Sequence, residues 1–219
     1  MPPGQAPRWD KLLAPFRDWR FRRLLLFGCW FSCFNGITQS ALNLYPATVL
    51  GFHVLVVLTL RAMMRLGQWG LSPWAGRLAD RWGNRPVLMA SLLLVAQGPL
   101  FYLLATPERP WWIVGAWAVW IAYVGLNVAL PNLMLKLSPA AANLPYIASY
   151  YTIAGLCYGV STVVGGALCD CYGAAALVLP GGMVCGGLAC LFFLGWITRM
   201  LGAVVLLCVV EPKRRHTGR

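Results

Sequence analysis

Arg61, Arg65, Gln68 and Ser72 stand at i, i+4, i+7 and i+11 within an otherwise apolar stretch, the spacing of one helix face. Two guanidiniums one turn apart repel unless an anion or a carboxylate lies between them. Such a face would hold an anionic or strongly hydrogen-bonding small molecule. Asn35, Gln39 and Asn43 form a second polar stripe at i, i+4 and i+8, with Thr38 beside them. Trp120, Tyr123 and Asn127 share a third face. This is binding chemistry rather than bond-breaking chemistry. No Ser/His/Asp or Cys/His constellation is discernible, and Asp10, Asp18, Glu108 and Glu211 fall in flanks or loops, so no enzyme is expected. Cys169-x-Cys171 offers two thiols without a histidine placed to help, so no metal is expected. No glycine-rich run has a strand–loop–helix context, and no cofactor is implied.

The elements that must position these stripes follow from composition. The chain has 219 residues, 59% hydrophobic and 11% charged, with mean hydropathy +0.66. A soluble domain carries about 25% charged residues. Stretches of about 20 residues with few charges read as membrane helices, and the alternating segments of a β-barrel are absent. The expected spans are 24–45, 54–79, 87–105, 112–134, 146–168 and 181–209, making an all-α polytopic membrane protein of six transmembrane helices. A basic juxtamembrane leader, 1–23, precedes the 24–209 membrane domain, and a basic tail, 210–219, follows it. The leader does not resemble a cleaved signal peptide.

The formal charge of +12 sits between the apolar spans. A lipid bilayer explains it better than nucleic acid, for which neither an aromatic-interleaved basic face nor zinc-finger spacing is present. Outside the spans, every Lys and Arg but Arg109 falls on one side, so both termini are expected in the cytoplasm, with the chain multi-pass in the cell (inner) membrane.

At membrane depth the stripes have competing explanations. Arg61 can snorkel to the outer headgroups, leaving only Arg65 deep, or both can mark a pathway. The amides can line a cavity or join helices by hydrogen bonds. Arg199 is expected to snorkel toward the inner surface. Gly155-x3-Gly159 and Gly182-x3-Gly186 are spacings that permit close helix packing, and Gly67, Gly70 and Pro73 can bend the second span.

An internal repeat adds a constraint. Gly76-Arg77-Leu78-Ala79-Asp80-Arg81-Trp82-Gly83-Asn84 recurs as Gly166-Ala167-Leu168-Cys169-Asp170-Cys171-Tyr172-Gly173-Ala174, after the second and fifth spans. Both copies read G-x3-D-x2-G, basic in the first and uncharged at the variable positions of the second, as opposite membrane sides would require. Leu42-Asn43-Leu44-Tyr45-Pro46 against Leu126-Asn127-Val128-Ala129-Leu130-Pro131 is a weaker echo. Three-span units at about 24–105 and 112–209, in inverted orientation, would account for both.

Gly76-x3-Asp80-Arg81-x-Gly83-Asn84-Arg85 resembles the loop signature of the major facilitator superfamily, G-x-x-x-D-[RK]-x-G-[RK]-[RK], with Asn84 in place of the first residue of the basic pair. Together with the six-span count, it resembles one half of such a transporter. The acidic-proline-basic run Glu211-Pro212-Lys213 resembles the end of the C-terminal half. The resemblance implies a 3+3 inverted repeat, a second six-helix half (fused, separate or homodimeric), and transmembrane transport of a small solute by alternating access, for which the arginine pair points to an anion. It also implies that the first helix of each unit lines the cavity. On those two helices the candidate lining residues are Asn35, Gln39 and Asn127, and Arg65, Arg61 and Gln68 of the second span join them as a polar face at membrane depth. Gly76, Asp80, Arg81, Gly83 and Arg85 form a conformational signature in which Asp80 helps hold one state. A membrane-embedded accessory or binding subunit, or a non-transporting remnant, is the alternative.

Overall fold

The computed structural model describes residues 14–139, 143–173, 176–178 and 184–211. The start of the leader, Ala174, Gly182 and the tail from Pro212 lie outside the described residues. Helix α1 (Trp19–Thr48) begins at Asp18, whose Oδ1 accepts from the backbone N–H groups of Arg20 at 2.9 Å and Phe21 at 3.4 Å. This cap starts the helix ahead of the apolar run, so Trp19–Arg23 are helical rather than part of an irregular leader. Helix α2 (Val54–Trp82) runs unbroken through Pro73 and ends at Gly83, whose φ of +97° is a conformation that favours glycine.

The third span is interrupted, with α3 (Asn84–Ala96) and α4 (Gly98–Leu104) meeting at Gln97. The fourth tightens to a 3₁₀ turn at Trp120–Ala122 between α5 (Trp112–Val119) and α6 (Tyr123–Leu137). Helix α7 (Asn143–Tyr172) precedes a short antiparallel pair, β1 (Ala176–Val178) with β2 (Val184–Gly186). The last helix, α8 (Gly187–Leu207), starts later than the expected 181. Pro180 and a run rich in glycine are poor helix formers, and Val184–Gly186 pair as a strand instead.

Five segments are long and apolar enough to cross a membrane: α2, α3 with α4, α5 through α6, α7 and α8. At 30 residues α1 is equally long but is not among the five; Asn35, Gln39 and Asn43 lower its hydropathy. Apart from the β1–β2 pair the described structure is helical, and its apolar helices are compatible with a multi-pass membrane protein.

Helix α1 packs chiefly on α7 and α8, and α6 chiefly on α3 and α2, while α3 and α4 also meet α8. The α1–α7 crossing is close because Gly36 faces the Tyr158 carbonyl and Gly165 faces the backbone of Ile37. Ser40 Oγ donates to the Thr162 carbonyl at 3.0 Å in the same interface. Gly155 and Gly159 form one of the two spacings expected to permit close packing, yet nothing lies within 4 Å of a Cβ built on either, and Gly182 of the other spacing lies outside the described residues. Their face of α7 points away from the bundle, beside exposed Leu156 and Val160. Gly76 likewise has open space around it, so its small size serves no close packing inside this chain. Helices α2 and α7 are the least covered, with 11% and 22% of their apolar windows buried against 44–50% for the other three spans.

Candidate functional site

The polar stripes converge. A cavity of about 480 Å³ opens between α1, α2, α6 and α8, and all six candidate lining residues border it. Helix α1 contributes Asn35, Gln39 and Asn43, and α2 contributes Arg61, Arg65 and Gln68 one turn apart. Asn127 comes from α6 and Tyr158 from α7, while Trp117, Trp120, Tyr123 and Tyr102 supply aromatic wall. Ser72, on the same face of α2, lies beyond the cavity.

The amides are tied into short networks. Asn43 Oδ1 accepts from Gln39 Nε2 at 3.0 Å and from Arg61 Nη2 at 3.2 Å. Arg61 also lies over the Trp117 ring, 5.8 Å from its centroid, within cation–π range. Arg65 Nη1 donates to Gln68 Oε1 at 3.1 Å, while Gln68 Nε2 donates to the Trp120 carbonyl at 3.0 Å, at the 3₁₀ turn. Gln68 is buried, so its two bonds fix how the amide presents itself to Arg65. Both arginines of the pair therefore turn along the cavity wall toward neutral oxygens. Among the described residues, none that lines the cavity is acidic.

Arg199 corrects a sequence expectation. Instead of snorkelling it is 2% exposed and reaches across to α1, where Nη2 donates to Asn35 Oδ1 at 2.6 Å and Thr38 Oγ1 at 2.9 Å. The Tyr123 hydroxyl donates to the same Asn35 oxygen at 3.4 Å. A signal for this was present in the sequence. Gly195 and Gly202 lie one turn either side of Arg199, and small residues on that face let α8 close on α1. A Cβ on Gly195 would meet Thr38 Cγ2 at 2.6 Å, so the face carrying Arg199 is a packed interface with no route to the headgroups.

The signature turn forms a second site. Gly83 supplies the positive φ, and Asn84 and Arg85 open α3. Glu211, beyond the end of α8, occupies that helix N-terminus. Its Oε1 accepts from the Asn84 backbone N–H at 3.1 Å and Asn84 Nδ2 at 2.9 Å, and its Oε2 from the Arg85 backbone N–H at 2.8 Å. Lys136, in the last turn of α6, pairs with Glu211 Oε1 at 2.7 Å. Partial burial works against the charge, but Lys136 and the bonds from Arg85 and Asn84 prevail and hold the carboxyl down at about 2. Asn84, the departure from the signature, is buried because its amide bonds this carboxylate.

Arg85 Nη2 donates to the Leu207 carbonyl at 2.6 Å, capping the end of α8, and Arg77 stacks 4.5 Å from the centroid of the Trp74 ring. Asp80 and Arg81 are exposed in the last turn of α2. At the second copy, the Gly173 N–H donates to the Cys169 carbonyl at 2.8 Å, as the Gly83 N–H does to that of Ala79 at 3.0 Å. No family model matches the chain, and no curated protein matches it.

Proposed function

We propose that this chain is one six-helix half of a major-facilitator-type secondary transporter, carrying a small solute across a bilayer by alternating access. The observation that carries the reading is the convergence of stripes from α1, α2, α6 and α8 on one cavity among apolar helices. Polar residues at membrane depth persist where they face a pathway.

Two features of the packing support an inverted repeat, with α1 as the sixth span. Exchanging the units turns the α1–α7 pairing into α6–α2 and the α1–α8 pairing into α6–α3, and all four are principal contacts. Asn43 and Asn127, the matched positions of the weaker echo, both border the cavity. A second half, fused, separate or homodimeric, is proposed to cover the apolar faces of α2 and α7. The basic side is proposed as cytoplasmic.

The test is access from both membrane sides. Asn127→Cys, in a chain otherwise free of cysteine and reconstituted in vesicles, should react with a membrane-impermeant thiol reagent applied from either face. Labelling from one face alone would overturn alternating access and leave a static binding subunit. In the same assay Asp80→Ala should change the ratio of labelling from the two faces at least 3-fold. It should do so without a matching change in solute affinity, because Asp80 lies at the signature turn and not in the cavity. An equal loss of binding in both states would reject that role.

A further inference from the structure

Arg199 retains bonding capacity that no described residue uses. Of its three nitrogens only Nη2 is bonded; Nε and Nη1 are buried without a partner. A guanidinium has five N–H donors and no acceptor, and it stays protonated. Leaving donors of a charged group unsatisfied away from water is unfavourable by several kcal/mol, roughly, unless something pairs with them. Asn35 and Thr38 orient the group but are neutral. Arg61 and Arg65, on the opposite wall, likewise rest on the neutral amides of Asn43 and Gln68. Three guanidiniums thus border one cavity of about 480 Å³ with no acidic side chain among the described residues that line it.

From this charge balance we infer that the cavity takes a small organic anion, with its oxyanion group held by Arg199 and its charge further balanced by Arg61 and Arg65. The inference rests on reading this cavity as the solute site. A neutral hydroxylated solute would satisfy hydrogen bonds and leave three charges uncompensated, and a cation would add to them. Carboxylate and phosphate share the chemistry that matches a guanidinium: planar or tetrahedral oxygens that accept charge-assisted bonds. The ligand body is set by Trp117, Trp120, Tyr102 and Tyr123, which offer flat apolar surface and favour an unsaturated or aromatic frame over a polyol. Arg199 is the selective element, since Asn35 and Thr38 already hold its guanidinium at the cavity wall and only its buried Nε and Nη1 must turn toward the ligand.

Calorimetric titration of the purified full chain in neutral detergent tests this with benzoate, phthalate, inorganic phosphate, benzamide and benzylammonium. Benzoate or phthalate should bind at least 10-fold more tightly than benzamide, and benzylammonium should not bind. Inorganic phosphate competing with them would assign the anchor to oxyanions in general, and failure to compete would assign it to carboxylates. Affinity should fall with added salt.

Arg199→Gln should weaken anion binding at least 10-fold and Arg199→Lys less, because the ammonium keeps the charge and loses the fork. If Arg199→Gln fails to fold by circular dichroism, Arg61→Gln and Arg65→Gln decide, since both residues are exposed and each should cost about 3-fold to 10-fold. Benzamide binding as tightly as benzoate, no binding of any anion, or charge-independent affinity in the folded variants would overturn the inference. Charge-dependent binding together with one-sided labelling of Asn127→Cys would keep the anion site and reject transport. Two-sided labelling without anion binding would do the reverse.

Discussion

Gly165→Ala is expected to damage this fold more than any exposed substitution. A Cβ at that position falls against the Ile37 backbone, within 2.7 Å of its carbonyl carbon and 2.9 Å of its Cα. Gly36→Ala meets the same crossing from the other side, 2.6 Å from the Tyr158 carbonyl oxygen. Side chains can rotate away from an added methyl, but backbone inside a helix cannot, so α1 and α7 must separate. Overpacking costs about 1–3 kcal/mol, and backbone contact puts each change at the upper end. The loss extends beyond the methyl group, because the α1–α7 contact is the most extensive among the described elements and also carries the Ser40 bond to Thr162. Gly155→Ala and Gly159→Ala are the controls. With open space around both, alanine should be neutral or should stabilise by up to about 1 kcal/mol through helix propensity. Thermal unfolding in detergent reads all four, and unchanged stability of Gly165→Ala would contradict the crossing described here.

This contrast also shows what the sequence leaves open. Gly-x3-Gly spacing says that two small residues share a face, not that the face meets a helix of the same chain. Gly36 and Gly165 pack because their partner helix lies there, and their spaced companions are serines, Ser32 and Ser40 about Gly36 and Ser161 before Gly165, so a Gly-x3-Gly search passes over them. The polar stripes were legible for the opposite reason. Asn35, Gln39, Arg61, Arg65, Gln68 and Asn127 are unfavourable against lipid, so periodicity alone indicates a shared interior, and the structure gathers them around one cavity.

Arg199 was misjudged because its distance from the helix end permits snorkelling. Only the glycines at 195 and 202, read as a packing face, indicate otherwise. The start of α8 was placed too early because hydropathy is indifferent to whether Val184 and Cys185 sit in a helix or a strand. Asn84 looked like a lapse in the basic signature, and its bond to Glu211 depends on a residue 127 positions away.

Glu211 therefore carries the second large effect. Its carboxylate joins the start of α3, the end of α6 and the chain beyond α8. The carboxyl is held at about 2 in the fold, whereas an unfolded glutamate titrates near about 4.3. Because the folded value is the lower, the stabilisation is fully present above the unfolded value and is lost as pH falls through roughly 4 toward 2. Glu211→Gln should remove that acid-dependent loss, leaving stability flat over this window but lower at neutral pH. Hydrogen bonds to charged groups are worth about 1.5–3 kcal/mol. Solvent still reaches this site, so the neutral-pH deficit should be on the order of 1–2 kcal/mol.

Lys136→Met separates the ion pair from the helix terminus. Without the ammonium the carboxyl should rise from about 2 toward its ordinary value while keeping its bonds to Asn84 and Arg85, so the acid loss should still begin near roughly 4 but be smaller and complete at higher pH. Unfolding midpoints measured from pH 7 to pH 2 for the wild-type chain and both variants distinguish these outcomes. A wild-type profile identical to that of Glu211→Gln would show that the tail carboxylate does not hold the signature turn. If the turn is held as described, the same two substitutions should also change two-sided labelling of Asn127→Cys, because the bond network ties the end of α8 to the start of α3, next to the last turn of α2 that carries Asp80.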